Sequence, residues 1–298
     1  MFGRLTIRNL KVEILNKLSE LASYNERSVE AEVRYALTKW TAESSPSVQT
    51  VEELYRKNIS ERLMKLMEQK NQYLNTHLKA SHVAERLGCT RGSTVEQWIS
   101  GEVEPTFEQL DELSNYFSVN PQWLKHGDGK PFCKKYIRTP GPINELLKNE
   151  EPYENEELKK IAFIRCSSGS LYIMKVYENA RSIVYHTPYL LDNSVGRGGF
   201  GDLVDLFGFW EFLYENYIKS FKTLDVPNKN VIIKSYIFDD FDSQEFGDGN
   251  IDPLIILKRQ KNDAPWWEDV WEKNGKNLRE YWSGCQKLCS LVNEDRVS

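Results

Sequence analysis

Arg4, Thr6 and Arg8 alternate with Leu5 and Ile7 in the opening segment GRLTIRNL, residues 3–10. A period of two puts the polar and apolar sets on opposite faces of a β-strand. The polar face carries hydrogen-bonding groups suited to base edges: an Arg guanidinium spans the two acceptors of guanine in the DNA major groove, and Thr serves either role. A lone strand leaves its ladder groups unpaired. Two copies paired antiparallel satisfy them and make a two-stranded ribbon, an element that fits the major groove. The chemistry expected of this segment is therefore recognition of DNA by a dimer, not covalent catalysis.

The ribbon needs a support, and the residues that follow supply one. Val12, Leu15, Leu18 and Leu21 recur at helical spacing, with Ile14 beside them. Ser28 is a natural N-cap for a second helix, with Glu30 and Glu32 in its first turn, where acids suit the helix dipole. Val29, Val33, Ala36, Leu37 and Trp40 form the apolar stripe of that helix. A strand and two helices in about 40 residues are too small to bury their own apolar faces. Interlocking of two copies solves this problem and the strand's at once, with Leu5 and Ile7 turned into a shared helical core.

The residues LTIRNL…NERSVEAEVRYAL resemble the ribbon-helix-helix proteins of the Arc/MetJ type, and within them the FitA-like antitoxins. The resemblance covers nearly all of residues 3–38. It implies base contacts from Arg4, Thr6 and Arg8, and phosphate contact at the N-terminus of the second helix, near Ser28 and Val29.

A second set of candidate DNA-contacting residues lies further on. ISERLMKLMEQK reads as an amphipathic helix, followed by SHVAERLGCTRGSTVEQWISGEVEPTFEQLDELSNYF. Val83, Ala84 and Leu87 form an apolar face that stops at Gly88, a residue suited to a sharp turn. The next helix is expected from Ser93 or Thr94, with Val95 and Trp98 inward and Gly101 as its C-cap. Phe107, Leu110, Leu113 and Phe117 mark another helix. This order resembles the Cro/phage-repressor (XRE-like) helix-turn-helix. GCTRGSTVEQW is one residue longer than the commonest spacing, which shifts the start of the recognition helix by about one position. The resemblance implies base or backbone contacts from Arg91, Ser93, Thr94 and Gln97, with Ser81 capping the preceding helix and holding a phosphate.

The net charge of −5 hides an asymmetry that matters for a DNA ligand. Residues 1–40 carry +2, residues 41–132 carry −3, residues 133–149 carry +3 and residues 150–298 carry −7. Phosphate contact depends on local charge, so an acidic C-terminal half does not oppose it. TAESSPSVQT, residues 41–50, reads as a connector, and RTPGPINELLKNEEPYENEE, residues 138–157, reads as a second. No apolar run approaches the roughly 20 residues of a membrane span, and no signal peptide is evident. Five scattered cysteines fit reduced thiols in a cytoplasmic protein.

In the remainder, KKIAFIRC, SLYIMKVYEN and ARSIVYHTPY read as strands, with a turn near Asn179, and a long helix is expected over about 201–222. NVIIKSYIFD and DPLIILKRQ read as two more strands, and PWWEDVWEKNGKNLREYWSGCQKLCSLV as a terminal helix. Trp266, Trp267, Trp271, Tyr281 and Trp282 form an aromatic cluster, read first as core and second as a ligand or partner surface. GRGGFGDL, residues 196–203, imitates a kinase glycine loop, but no HRD or DFG follows, so it reads as a mobile loop with Arg197 free for a ligand or partner. DGNID, residues 248–252, imitates a calcium loop but has Pro253 where glycine is needed, and reads as a hairpin turn. Cys285 and Cys289 lie four apart on an expected helix, and the four histidines show no zinc spacing.

The sequence thus predicts a multidomain chain. A dimeric ribbon-helix-helix occupies residues 1–40 and a linker residues 41–56. An all-α XRE-like helix-turn-helix domain spans 57–135, a second linker 136–157, and an α+β sensor, partner-binding or oligomerisation domain 158–298. The expected function is sequence-specific DNA-binding transcriptional regulation, as a repressor or autoregulator, with two modules on a composite operator. The expected partners are double-stranded DNA and a second copy in a homodimer or higher oligomer. A protein or ligand is a further candidate partner of the C-terminal domain. No membrane, metal, cofactor or enzymatic role is expected. Two rival readings are an antitoxin that binds DNA through residues 1–135 and neutralises a toxin through its C-terminal domain, and a DNA-tethered effector enzyme in residues 158–298.

Overall fold

The computed structural model describes residues 9–44, 50–141, 143–219, 230–260, 265–272 and 279–296. The chain divides into two compact units, residues 1–55 and 56–298. Arg4, Leu5, Thr6, Ile7 and Arg8 lie outside the described residues.

In the first unit, α1 (Val12–Tyr24) and α2 (Val29–Ser44) pack on each other. Their only fully buried side chains among the described residues are Ala22 and Glu32. Of the apolar positions picked out by helical spacing, Val12, Ile14, Leu15, Leu21 and Trp40 are exposed, and Leu18, Val29, Val33 and Leu37 are half-buried. Helix α2 runs on to Ser44, and α3 (Val51–Tyr73) begins at Val51. Residues 41–44 and 51–56 of the first connector are therefore helical. They advance about 1.5 Å each, where an extended chain would advance about 3.3 Å.

The second unit opens with helices. After α3 come α4 (Ala80–Arg86), α5 (Ser93–Ser100), α6 (Phe107–Phe117) and α7 (Pro121–His126). Their starts and stops follow from the sequence. Thr106 caps α6 by accepting from the Gln109 backbone amide at 3.3 Å, and the Gln109 side-chain oxygen accepts from the Thr106 backbone amide at 2.8 Å, a reciprocal box. Asn120 caps α7 with Pro121 in its first turn. Helix α3 is tied to the others by its polar residues: Ser60 donates to the Ile99 carbonyl, and Arg62 to the Leu124 carbonyl at 3.0 Å. Ile59, Leu63, Leu66, Val83, Ala84, Val95, Trp98, Leu110, Leu113, Phe117 and Leu124 are buried.

A five-stranded sheet follows, of order β1-β4-β3-β2-β5. Strands β2 (Leu158–Arg165), β3 (Ser170–Tyr177) and β4 (Arg181–Leu190) form an antiparallel meander. The short β1 (Lys135–Tyr136) adds parallel to β4, and β5 (Ile232–Ile237) parallel to β2. Both faces are covered. Ile161, Phe163, Leu171 and Ile173 face a core that also holds Leu206, Phe207 and Trp210 of α9 (Arg197–Leu213), Trp266 and Trp267, and Leu288 and Val292. Ala162, Ile164, Met174 and Val184 face a second core with Phe238, Phe246, Leu254 and Ile256. This double burial explains the near-continuous apolar runs of β2 and β3.

Several sequence expectations are corrected here. DPLIILKRQ is not a strand but helix α11 (Pro253–Arg259), and another helix, α10 (Asp240–Asp248), precedes it. The cause is visible in the sequence: Asp252 caps α11 through the Leu254 amide at 3.0 Å, and Pro253 takes the first helical position. DGNID is accordingly a helix-to-helix corner, not a hairpin. GRGGFGDL is not a loop but the first turns of α9, where Gly199 leaves room for Val195: a Cβ there would lie 2.6 Å from its side chain. The helix continues through a π-helical segment, Tyr214–Lys219. The terminal helix is broken into α12 (Trp266–Asp269) and α13 (Cys285–Asp295). The aromatic cluster is core, with Trp266 and Trp267 fully buried.

The helices and the sheet of this unit are joined at α3. Tyr73 and Leu74 pack against the second core. Lys70, buried, donates to Asp252 at 2.8 Å and to the Ala180 carbonyl at 2.6 Å. Gln69 accepts from the Asp252 amide at 2.8 Å and donates to the Asn250 carbonyl at 3.1 Å. The stretch read from sequence as a second connector contains part of β1, α8 (Ile143–Leu146) and the buried Tyr153, whose hydroxyl bonds Ser118 at 2.6 Å.

Candidate nucleic-acid interface

At the N-terminus of α2, Ser28 is exposed and its hydroxyl accepts from the Ala31 amide at 3.2 Å, while its carbonyl accepts from the Glu32 amide at 2.9 Å. Val29, half-buried, opens the helix. Of the two acids in this turn, the buried Glu32 pairs with Arg27 at 3.3 Å and accepts from Asn25 at 3.2 Å, and Glu30 is exposed. The Arg27 guanidinium also lies 4.4 Å from the centre of the Tyr35 ring. The positive end of this 16-residue helix favours an anion at the exposed cap, and the exposed Glu30 in the same turn opposes one.

In the second unit, α4 and α5 pack directly on each other across a short turn. The turn follows from Gly88, which takes φ +70°, and is closed by the Cys89 amide on the Ala84 carbonyl at 2.9 Å. Partial burial and the nearby Glu112 hold the Cys89 thiol above its ordinary range. Gly92 brings the start of α5 against α4: a Cβ there would meet the Ser81 Cβ at 3.2 Å. Helix α5 begins at Ser93 and ends at Gly101, φ +75°. Val95 and Trp98 turn inward, whereas Ser93 and Gln97, one turn apart, are exposed. Thr94 is half-buried and Arg91 exposed. Ser81 is exposed but does not cap α4. The cap position is Lys79, whose amide donates to His82 at 3.2 Å, so Ser81 sits inside the first turn.

Residues 4–41 match the family model for the FitA-like antitoxin ribbon-helix-helix domain. The N-terminal segment is a ribbon-helix-helix domain, and α1 and α2 are its two helices. The match reaches neither α4 and α5 nor the sheet. No curated protein and no solved structure matches the chain.

The structure thus brings Ser28 and Val29 together at one helix start of the ribbon-helix-helix domain. It separately gathers Ser81, Arg91, Ser93, Thr94 and Gln97 on the α4–α5 pair. Arg4, Thr6 and Arg8 belong to the matched segment but lie outside the described residues. Lys79, an exposed cation two residues before Ser81, was missed by the sequence reading, although its place before the helix was a usable signal. No cluster of three or more metal-ligating side chains occurs among the described residues. Among the same residues no helix is long and apolar enough to cross a membrane.

Proposed function

We propose that the protein is a sequence-specific DNA-binding transcriptional regulator, a repressor or autoregulator of the cytoplasm, working as a homodimer. The observation that carries this reading is the ribbon-helix-helix match of residues 4–41, a domain type that typically binds DNA as a dimer. The exposed apolar positions of α1 and α2 support the dimer, since a second copy supplies the cover that one copy lacks. In this reading Arg4, Thr6 and Arg8 read bases, and Ser28 and Val29 hold a phosphate.

The α4–α5 pair acts as a second, XRE-like module, with Arg91, Ser93, Thr94 and Gln97 facing DNA and Ser81 near the backbone. Two linked modules raise the local concentration of the second once the first is bound. The operator is then composite: a central ribbon site flanked by helix-turn-helix half-sites within about one or two turns of roughly 34 Å. Residues 158–298 carry no catalytic centre in this reading and serve as a sensor, partner or oligomerisation element. The family description also favours a second reading, an antitoxin whose C-terminal part neutralises a toxin, and co-purification of a small toxic partner distinguishes it.

Footprinting of the full-length protein beside its Arg4→Ala/Arg8→Ala and Arg91→Ala/Gln97→Ala variants tests the proposal. Each pair should erase a different part of one footprint. A footprint no longer than one module, indifferent to the second pair, defeats the composite operator.

A further inference from the structure

Strand β3 presents Leu171, Ile173, Lys175 and Tyr177 to one face by its period of two. Leu171, Ile173 and Tyr177 belong to the first core, so Lys175 is a charged residue on an apolar face. It is 3% exposed. Its ammonium donates to the Lys148 carbonyl at 3.1 Å, to the Glu145 carbonyl at 3.5 Å and to one oxygen of Glu150. The other Glu150 oxygen accepts from the Tyr185 hydroxyl. Lysine and tyrosine together grip a planar carboxylate by both oxygens.

These three side chains line a cleft of about 410 Å³, with Ile137, Leu146 and Ile173 among its apolar walls. That volume lies within the roughly 300–1,000 Å³ of small-molecule sites. The carboxylate that fills the grip is its most exposed member: the Glu150 side chain is 33% exposed against 4% for Lys175. It is supplied by an irregular stretch between α8 and β2, not by a strand. Burial pulls Lys175 below the ordinary lysine range, partly offset by Glu150. Burial alone pushes Glu150 up, but the bonds from Lys175 and Tyr185 outweigh it and hold the carboxyl below its ordinary range.

We propose that this cleft is a binding site for a small monocarboxylate with a short apolar tail, whose carboxylate replaces that of Glu150 on Lys175 and Tyr185. Lys175 and Tyr185 offer one donor to each oxygen of a two-oxygen group. Lys148 and Glu145 also line the cleft and Lys135 lies near it, so inorganic phosphate is included in the test as a rival anion. The apolar walls take the tail. Glu150 is then an internal competitor that keeps the buried lysine paired while the site is empty of ligand, which avoids the cost of an isolated buried charge. The site is built within the second unit alone and does not depend on DNA binding.

Titration calorimetry of the full-length protein with benzoate and hexanoate tests this, with benzamide, hexanamide and inorganic phosphate as comparison probes. Saturable binding of the carboxylates, and not of the amides or phosphate, is the expected result. Tyr185→Phe should weaken it about tenfold, the loss of one hydrogen bond to a charged group. Glu150→Gln should strengthen it about tenfold, because the competing charge is gone. A merely structural Glu150 would give weaker or unchanged binding in that variant, which overturns the proposal. No saturable binding, or equal binding of acids and amides, overturns it too. Both substitutions are near-isosteric, so the result does not depend on a lysine variant that fails to fold.

Discussion

Leu15 and Leu21 of α1 are 47% and 50% exposed, whereas Leu206 and Phe207 of α9 are 1% and 0% exposed. The side chains are equally apolar, so the difference lies in what surrounds them. Helix α9 is met by the sheet, by α12 and by α13. Helix α1 is met by α2. The second unit has enough chain to cover both faces of its sheet. The first leaves apolar side chains exposed, and if a second copy covers them, as proposed, its stability depends on protein concentration in a way the second unit's does not.

That contrast can be broken at either end. The largest effect is expected from Asp252→Ala, which strands the buried Lys70 ammonium and removes the α11 cap. It should cost about 3–5 kcal/mol, read by urea denaturation followed through tryptophan fluorescence. A loss below about 1 kcal/mol would mean that water reaches Lys70 and the joint is soft.

Next comes Leu15→Ala, expected to weaken the dimer by about 2–5 kcal/mol per buried site while leaving the urea transition of the second unit in place. Ile7→Pro, which removes a ladder donor, should disrupt the same dimer. Sedimentation equilibrium measures both. A dimer untouched by either change is held by the C-terminal part, and the ribbon loses its case. Arg4→Ala or Arg8→Ala should cost about 1–3 kcal/mol in operator binding and relax specificity. Gel shifts on operator and scrambled DNA separate base reading from phosphate anchoring, since equal losses on both would indicate anchoring.

The smallest effect is expected from Ser28→Ala: about 1 kcal/mol of stability from the lost cap, and a salt dependence of DNA binding shallower by about one phosphate contact. An unchanged salt slope would remove Ser28 from the interface.

Much of this was legible in the chain itself. The segments of β2, β3 and β4 were read as strands, and the glycines at 88 and 101 bracketed α5 closely. The errors share a cause. LIIL in α11 is buried on every side, and a short run of that kind has no period by which helix and strand differ. The Asp-Pro start, a cap followed by the first helical residue, is the signal that tells them apart. Three glycines made the start of α9 look like a loop because propensity was weighed without the close approach of Val195. The Lys175 grip was half legible: a lysine among alternating apolar residues was there to see. Its partners come from distant segments: the β3–β4 register brings Tyr185 near, and the irregular stretch before β2 brings Glu150.

The joint at Gln69 and Lys70 has one more consequence. Helix α3 bonds α5 and α7 through Ser60 and Arg62, and the sheet side through Gln69 and Lys70. One rod is thus common property of two architectures, and neither can shed it without leaving buried polar groups unmet. A protease given the native protein should find no seam between residues 56–132 and the sheet at which both halves survive. The two should melt in a single calorimetric transition, and gene fusions that transplant the helices alone should arrive without their foundation.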